Sequence, residues 1–164
     1  MLEKCRILYK GDMIAGSFYV FVGMILLLFA VILHYFTDSI GYQYLAIGFF
    51  MFFLYCLGKG TFIYVISRQK HLYYWSVSTI SPSTLATETE YTEYRITKKN
   101  INRRRYLYSA VICSVLAFLG IFSSQKGLIM GTAIPIALIS GIEMGIGLLT
   151  EFRLREYHRI LLKG

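Results

Sequence analysis

Long apolar blocks alternate with short polar ones along this chain. Four runs, at about 14–35 ("IAGSFYVFVGMILLLFAVILHY"), 44–66, 106–122 and 128–149, come close to or reach the roughly 20 residues of helix that cross a bilayer. Their apolar side chains are contiguous rather than spaced at i, i+3, i+4, so they are not confined to one face as in a soluble helix. The pattern predicts an all-α membrane protein, a four-transmembrane-helix bundle. It divides the chain into an N-terminal transmembrane hairpin (1–67), a polar loop (68–105), a C-terminal transmembrane hairpin (106–150) and a tail (151–164). The first run is longer than the roughly 7 to 15 residues of a signal-peptide core, and no small-residue cleavage pattern follows it, so it is read as a retained span.

Charge orients the bundle, because cytoplasmic loops collect Lys and Arg. Fifteen of the 17 Lys and Arg lie in the first ten residues, the central loop or the tail. Both termini and the loop are therefore expected in the cytoplasm of a bacterium, with the protein multi-pass in its inner (plasma) membrane. The net charge of +8 has the same origin. Lys98, Lys99, Arg103, Arg104 and Arg105 precede the third run, and Arg153, Arg155 and Arg159 follow the fourth, where anionic headgroups or a protein partner would meet them. Direct nucleic-acid binding is not expected.

Two polar segments have readings of their own. The loop begins with aromatic and β-branched residues ("HLYYWSVSTI"), turns at "SPST" and alternates through "LATETEYTEYRIT", which predicts a β-hairpin or else a tether with Tyr73, Tyr74 and Trp75 at the interface. The tail "EFRLREYHRILLKG" sets Phe152, Tyr157, Ile160 and Leu161 among bases. That suits a short amphipathic helix on the inner membrane surface or against a soluble partner.

Catalytic chemistry finds no support. HExxH, a glycine-rich phosphate loop, GxSxG and an Asp-rich headgroup-transfer motif are all missing from the sequence. His34, His71 and His158 are scattered, and Cys5, Cys56 and Cys113 form no CxxC pair, so neither a metal site nor a cofactor is expected. The cysteines read as small hydrophobes.

Charges inside the runs do carry information. Lys59 stands between two glycines in "LYCLGKGTFIYVI", about 15 residues beyond the start of the second run, and Glu143 stands about 15 beyond the start of the fourth. At 1.5 Å per residue both lie roughly 22 Å below the outer boundary of a layer about 30 Å thick. A lone charge at that depth is costly, so the two are expected to pair, within one chain or across an oligomer interface; alternatively Lys59 snorkels to the headgroups. Ala133, Ala137, Gly141 and Gly145 recur every fourth residue, a strip on which another helix can approach closely, either in the same chain or in a second copy. Glu143 projects from the opposite face. Pro135 is expected to kink the fourth span.

In its span layout the chain resembles the small four-span, termini-inside membrane subunits of bacterial phage-defence and exclusion systems, such as KwaA of the Kiwa system and RexB. The resemblance rests on architecture alone. It implies a non-enzymatic membrane sensor, scaffold or pore that oligomerises and docks a cytoplasmic protein. An ion channel or small transporter, and an immunity protein against a pore-forming toxin, are the competing expectations.

Overall fold

The computed structural model describes residues 2–77 and 81–162. It consists of four helices, α1 (Leu2–Phe36), α2 (Ile40–Ser76), α3 (Pro82–Gly120) and α4 (Lys126–Leu161), with no strand among the described residues. Each has 35 to 39 residues, roughly 52 to 58 Å at 1.5 Å per residue, well beyond the ~30 Å of a hydrocarbon core. Every helix therefore continues past its apolar block into a polar extension. All four extensions lie at the end of the bundle that carries both termini.

Three helices, α1, α2 and α4, are long and apolar enough to cross a membrane. Along them Phe18, Phe21, Met24, Phe50, Met51 and Leu148 point outward and are exposed, as suits a surface made for lipid rather than water. In α3 the apolar part begins only after Arg103, Arg104 and Arg105, leaving about 15 residues, or ~22 Å, before the helix ends at Gly120. Its start is firmly set: the Ser81 hydroxyl accepts from the Thr84 N–H at 3.2 Å, and Pro82 fills the first turn, where its missing N–H costs nothing.

The helices pack as two hairpins, α1 against α2 and α3 against α4, joined through α2 and α4. No Cα of α3 comes within 8 Å of α1 or α2 among the described residues. One core (Tyr19, Leu26, Phe49, Cys56, Ile139, Ile146) lies within the apolar blocks. A second (Cys5, Leu8, Tyr9, Tyr74, Leu154, Tyr157) holds the four extensions together. Pro135 sits inside the continuous α4, its ring against Gly48, where a Cβ would come within 2.7 Å.

The polar segments depart from expectation. The loop 68–105 is not a hairpin: α2 runs on to Ser76, and α3 is helical from Pro82. Leu85, Glu88, Thr92, Arg95, Ile96 and Lys99 recur at helical spacing and turn one face toward the other helices, and this tertiary packing overrides the local β-propensity. The tail is not a separate surface helix either. α4 passes through residue 151 unbroken, and Leu154, Tyr157 and Leu161 are buried against α1 and α2 rather than laid on a membrane. The expected boundaries at 67/68, 105/106 and 150/151 fall inside single helices.

Candidate functional site: a buried column of ion pairs

Lys59 and Glu143 form an ion pair between α2 and α4. Glu143 is 3 % exposed, so its charge needs complete solvation by protein groups. Tyr19 of α1 donates to its Oε2 at 2.9 Å, and Tyr55 of α2 donates to its Oε1 at 2.9 Å. Lys59 Nζ also donates to the Tyr55 hydroxyl at 3.1 Å and lies 4.8 Å from the centre of the Tyr19 ring. The pair is intramolecular. Gly60 follows Lys59 because α1 approaches there, and the lysine points from the neighbouring face into the bundle.

Toward the termini the pair is succeeded by three more buried acids. Glu151 accepts from Arg103 at 2.9 Å and from Arg155 at 2.8 Å. Asp12 accepts from Arg95 at 2.7 Å, with Arg153 at 3.6 Å. Glu88 accepts from Tyr9 at 2.8 Å and from Lys70 at 3.1 Å, and that ammonium also rests 4.1 Å from the Tyr91 ring centre. Burial alone works against the Arg95 charge, but Asp12 beside it prevails and raises the Arg95 pKa. Since α3 keeps its backbone away from α1 and α2, the long side chains of Arg95 and Lys70 bridge the gap, to Asp12 and Glu88 respectively. Removing one partner of such a pair strands the other charge in a poorly solvated place, typically at a cost of about 3 to 5 kcal/mol.

The sequence-predicted bases thus separate into two sets. Arg103, Arg153 and Arg155 pair with buried acids, and Lys99 is half-buried, whereas Lys98, Arg104, Arg105 and Arg159 are exposed. Lys98 Nζ donates to the Tyr94 hydroxyl at 3.3 Å, and Arg159 reaches Glu156 at 3.4 Å on the surface. Lys99 has no hydrogen-bond or ion-pair partner among the described residues, and burial, reinforced by the nearby Lys59 charge, lowers its pKa.

The small-residue strip is only partly used within the chain. Ala133 is buried and Ala137 half-buried, but no atom lies within 4 Å of a Cβ built on Gly141 or Gly145. The close approaches that glycine permits occur elsewhere, between α1 and α2 at Gly16 and Gly60 and between α2 and α4 at Gly41, Gly127 and Gly131.

Tyr19, Tyr55, Asp12, Glu88 and Glu151 escaped the sequence reading. Asp12 sits two residues before an apolar run and the glutamates within charged stretches, so each resembled a solvated residue. Among the described residues no group of three or more His, Cys, Asp or Glu could hold a metal ion. Cys5 Sγ is 3.0 Å from the Tyr157 hydroxyl, and burial raises its pKa, which keeps it a thiol and a poor nucleophile. No family model matches the chain, and comparison with curated proteins and with solved structures finds no match.

Proposed function

We propose that the chain is a non-enzymatic, four-span inner-membrane protein whose termini and helical extensions lie in the cytoplasm, where they dock a protein partner. The observation that carries this reading is the ion-paired extension. The α3 arm from Pro82 to Arg105, roughly 36 Å long, is anchored on one face by Glu88, Arg95 and Arg103, and it presents Glu90, Tyr94, Lys98, Ile101 and Arg105 on the other. A flexible tether needs no such internal anchoring; a platform that presents fixed side chains does. The charge balance supports the orientation. In this reading the α3 apolar segment crosses as the fourth span, with the bilayer thinned beside it.

The resemblance to phage-defence membrane subunits fits this role, with the effector on the partner. A conducting role is less well served, because the Glu143 carboxylate is 3 % exposed and its charge is already met by Lys59, Tyr19 and Tyr55.

The test combines topology with capture. A reporter fused after Gly164 is active only in its cytoplasmic form. The tagged protein, extracted from its own host, retains a specific companion that Lys98→Glu with Arg105→Glu releases and that Lys126→Glu, at the start of α4, does not. A periplasm-active fusion, or companions indifferent to all of these changes, overturns the proposal.

A further inference from the structure

A cavity of about 210 Å³ opens where the apolar blocks give way to the extensions, in the gap between α3 and the α1–α2 hairpin. Its volume is several times the ~30 Å³ that a water molecule occupies in the liquid. Lys70, Arg95 and Lys99 line it, with Asp12 as the sole carboxylate among the lining residues. Both Asp12 oxygens already face arginines, Arg95 and Arg153, and Glu88 is engaged by Lys70 and Tyr9. Around the cavity two acids face four bases. Arg95 and Arg153 share Asp12, and Lys99 is left without a hydrogen-bond or ion-pair partner among the described residues.

A half-buried ammonium with no direct counter-ion, where the Lys59 and Arg95 charges act against the Glu143 and Asp12 carboxylates, is unfavourable in the empty protein. The lowered Lys99 pKa records that cost, and an anion seated beside it would remove it. The opposite wall is apolar, formed by Ala15, Phe62, Ile63, Ile66 and Ile146. Phe62 is 67 % exposed and continues into the outward face of α2, so the cavity joins a cationic floor to a lipid-facing flank. α3 meets this site with Tyr91, Arg95 and Lys99, one turn apart along its inward face.

We infer that this cavity is a binding site for a phosphate-bearing anion, held by Lys70, Arg95 and Lys99, and that the phosphate is the headgroup of an anionic phospholipid whose acyl chains lie against Phe62 and Ile66. The choice of lipid over soluble phosphate rests on the apolar wall and on the membrane orientation proposed above; the anion site itself rests on the cavity and its charges alone.

The experiment uses full-length protein in detergent, delipidated and then titrated separately with phosphatidylglycerol, phosphatidylcholine and inorganic phosphate. Binding is followed by native mass spectrometry and by thermal unfolding. One phosphatidylglycerol is retained per chain and raises the unfolding temperature, while phosphatidylcholine does neither at the same concentration. Lys99→Gln weakens phosphatidylglycerol binding at least tenfold and leaves the lipid-free protein as stable as the parent or more so, Lys99→Arg restores binding, and Lys98→Gln on the exposed face leaves it unchanged. Inorganic phosphate that stabilises as strongly as the lipid, through Lys99, upholds the anion site and assigns it to a soluble ligand. Equal phosphatidylglycerol binding by the parent and Lys99→Gln overturns the site, whatever becomes of the docking reading.

Discussion

Gly16 and Gly60 face each other across the α1–α2 seam with no room for a side chain: a Cβ on Gly16 would lie 2.8 Å from the Gly60 carbonyl oxygen, and a Cβ on Gly60 would lie 2.7 Å from that of Gly16. Backbone atoms are the obstacle on both sides, so relief requires the helices to part. Gly16→Ala and Gly60→Ala should each destabilise the protein by about 1 to 3 kcal/mol, the usual range for overpacking. Gly58→Ala, where nothing lies within 4 Å of the added methyl, should not. Thermal unfolding in detergent checks this, and equal effects at all three positions would mean that the seam yields freely.

The strip on α4 gives the opposite expectation. A leucine at Gly141 or Gly145 meets no atom of the same chain at its Cβ, so Gly141→Leu and Gly145→Leu should retain the parent's helicity and unfolding temperature. The detergent-extracted mass is the informative reading. A fall in mass at unchanged stability would place a second copy of the chain on that face, and a constant mass would leave it to lipid.

Where the sequence could be read and where it could not follows from what each signal reports. Apolar runs report the solvent around a helix, and they located α1, α2 and α4 well. Lys59 and Glu143 were legible because two isolated charges at one depth in an apolar medium have few other ways to be accommodated. The extensions were not legible by the same means. Their interior is built from Glu88, Arg95, Asp12 and Glu151, polar residues that an apolar search assigns to water, and the aromatic and β-branched residues before Pro82 give a local strand signal that packing overrides. The four-residue strip failed for a different reason. Spacing shows that a face is flat but does not show what lies against it: Gly127 and Gly131, four apart on the same helix, meet α2, whereas Gly141 and Gly145 meet nothing within 4 Å.

The end of the bundle that carries the termini should open at alkaline pH. Tyr9, Tyr74 and Tyr157 are buried there, and burial, followed by the nearby Glu88 charge for Tyr9 and by hydrogen bonds to Glu88 and Cys5 for the other two, pushes their pKa values up. The Cys5 thiol is raised as well, chiefly by burial. A folded-state pKa above the unfolded one contributes stability that is complete below the unfolded value, here 9.0 for the thiol and 10.0 for the phenols, and that declines as pH rises past it. Lys99 has the opposite sign, its lowered pKa favouring the folded state as pH rises, but it is one group against four. Tyrosinate absorbance followed with helicity should therefore show these tyrosines ionising only as the extension unfolds. Their ionisation near pH 10 with helicity intact would show that the core around Tyr157 is wet.

The Lys59–Glu143 pair makes the most specific demand. Lys59→Ala leaves a carboxylate that is 3 % exposed with only the Tyr19 and Tyr55 hydroxyls for support, so it must protonate or draw in water. Glu143→Ala leaves an ammonium whose side chain is 24 % exposed and able to reach toward the headgroups, but it also strips the Tyr19 hydroxyl of its acceptor. Each single change should therefore destabilise, and the double change should destabilise less than the sum, with a coupling of about 0.6 to 2 kcal/mol in a double-mutant cycle. The charge-swapped protein, Lys59→Glu with Glu143→Lys, should recover only part of the loss, because Tyr19 then donates toward a lysine. Combining the swap with Tyr19→Phe should recover more than the swap alone, since the misplaced donor is gone. Strict additivity of the two alanine changes in unfolding measurements, with no gain from Tyr19→Phe in the swapped protein, would mean that the tyrosines rather than the lysine neutralise Glu143 and that Lys59 serves only to anchor α2 at the membrane boundary.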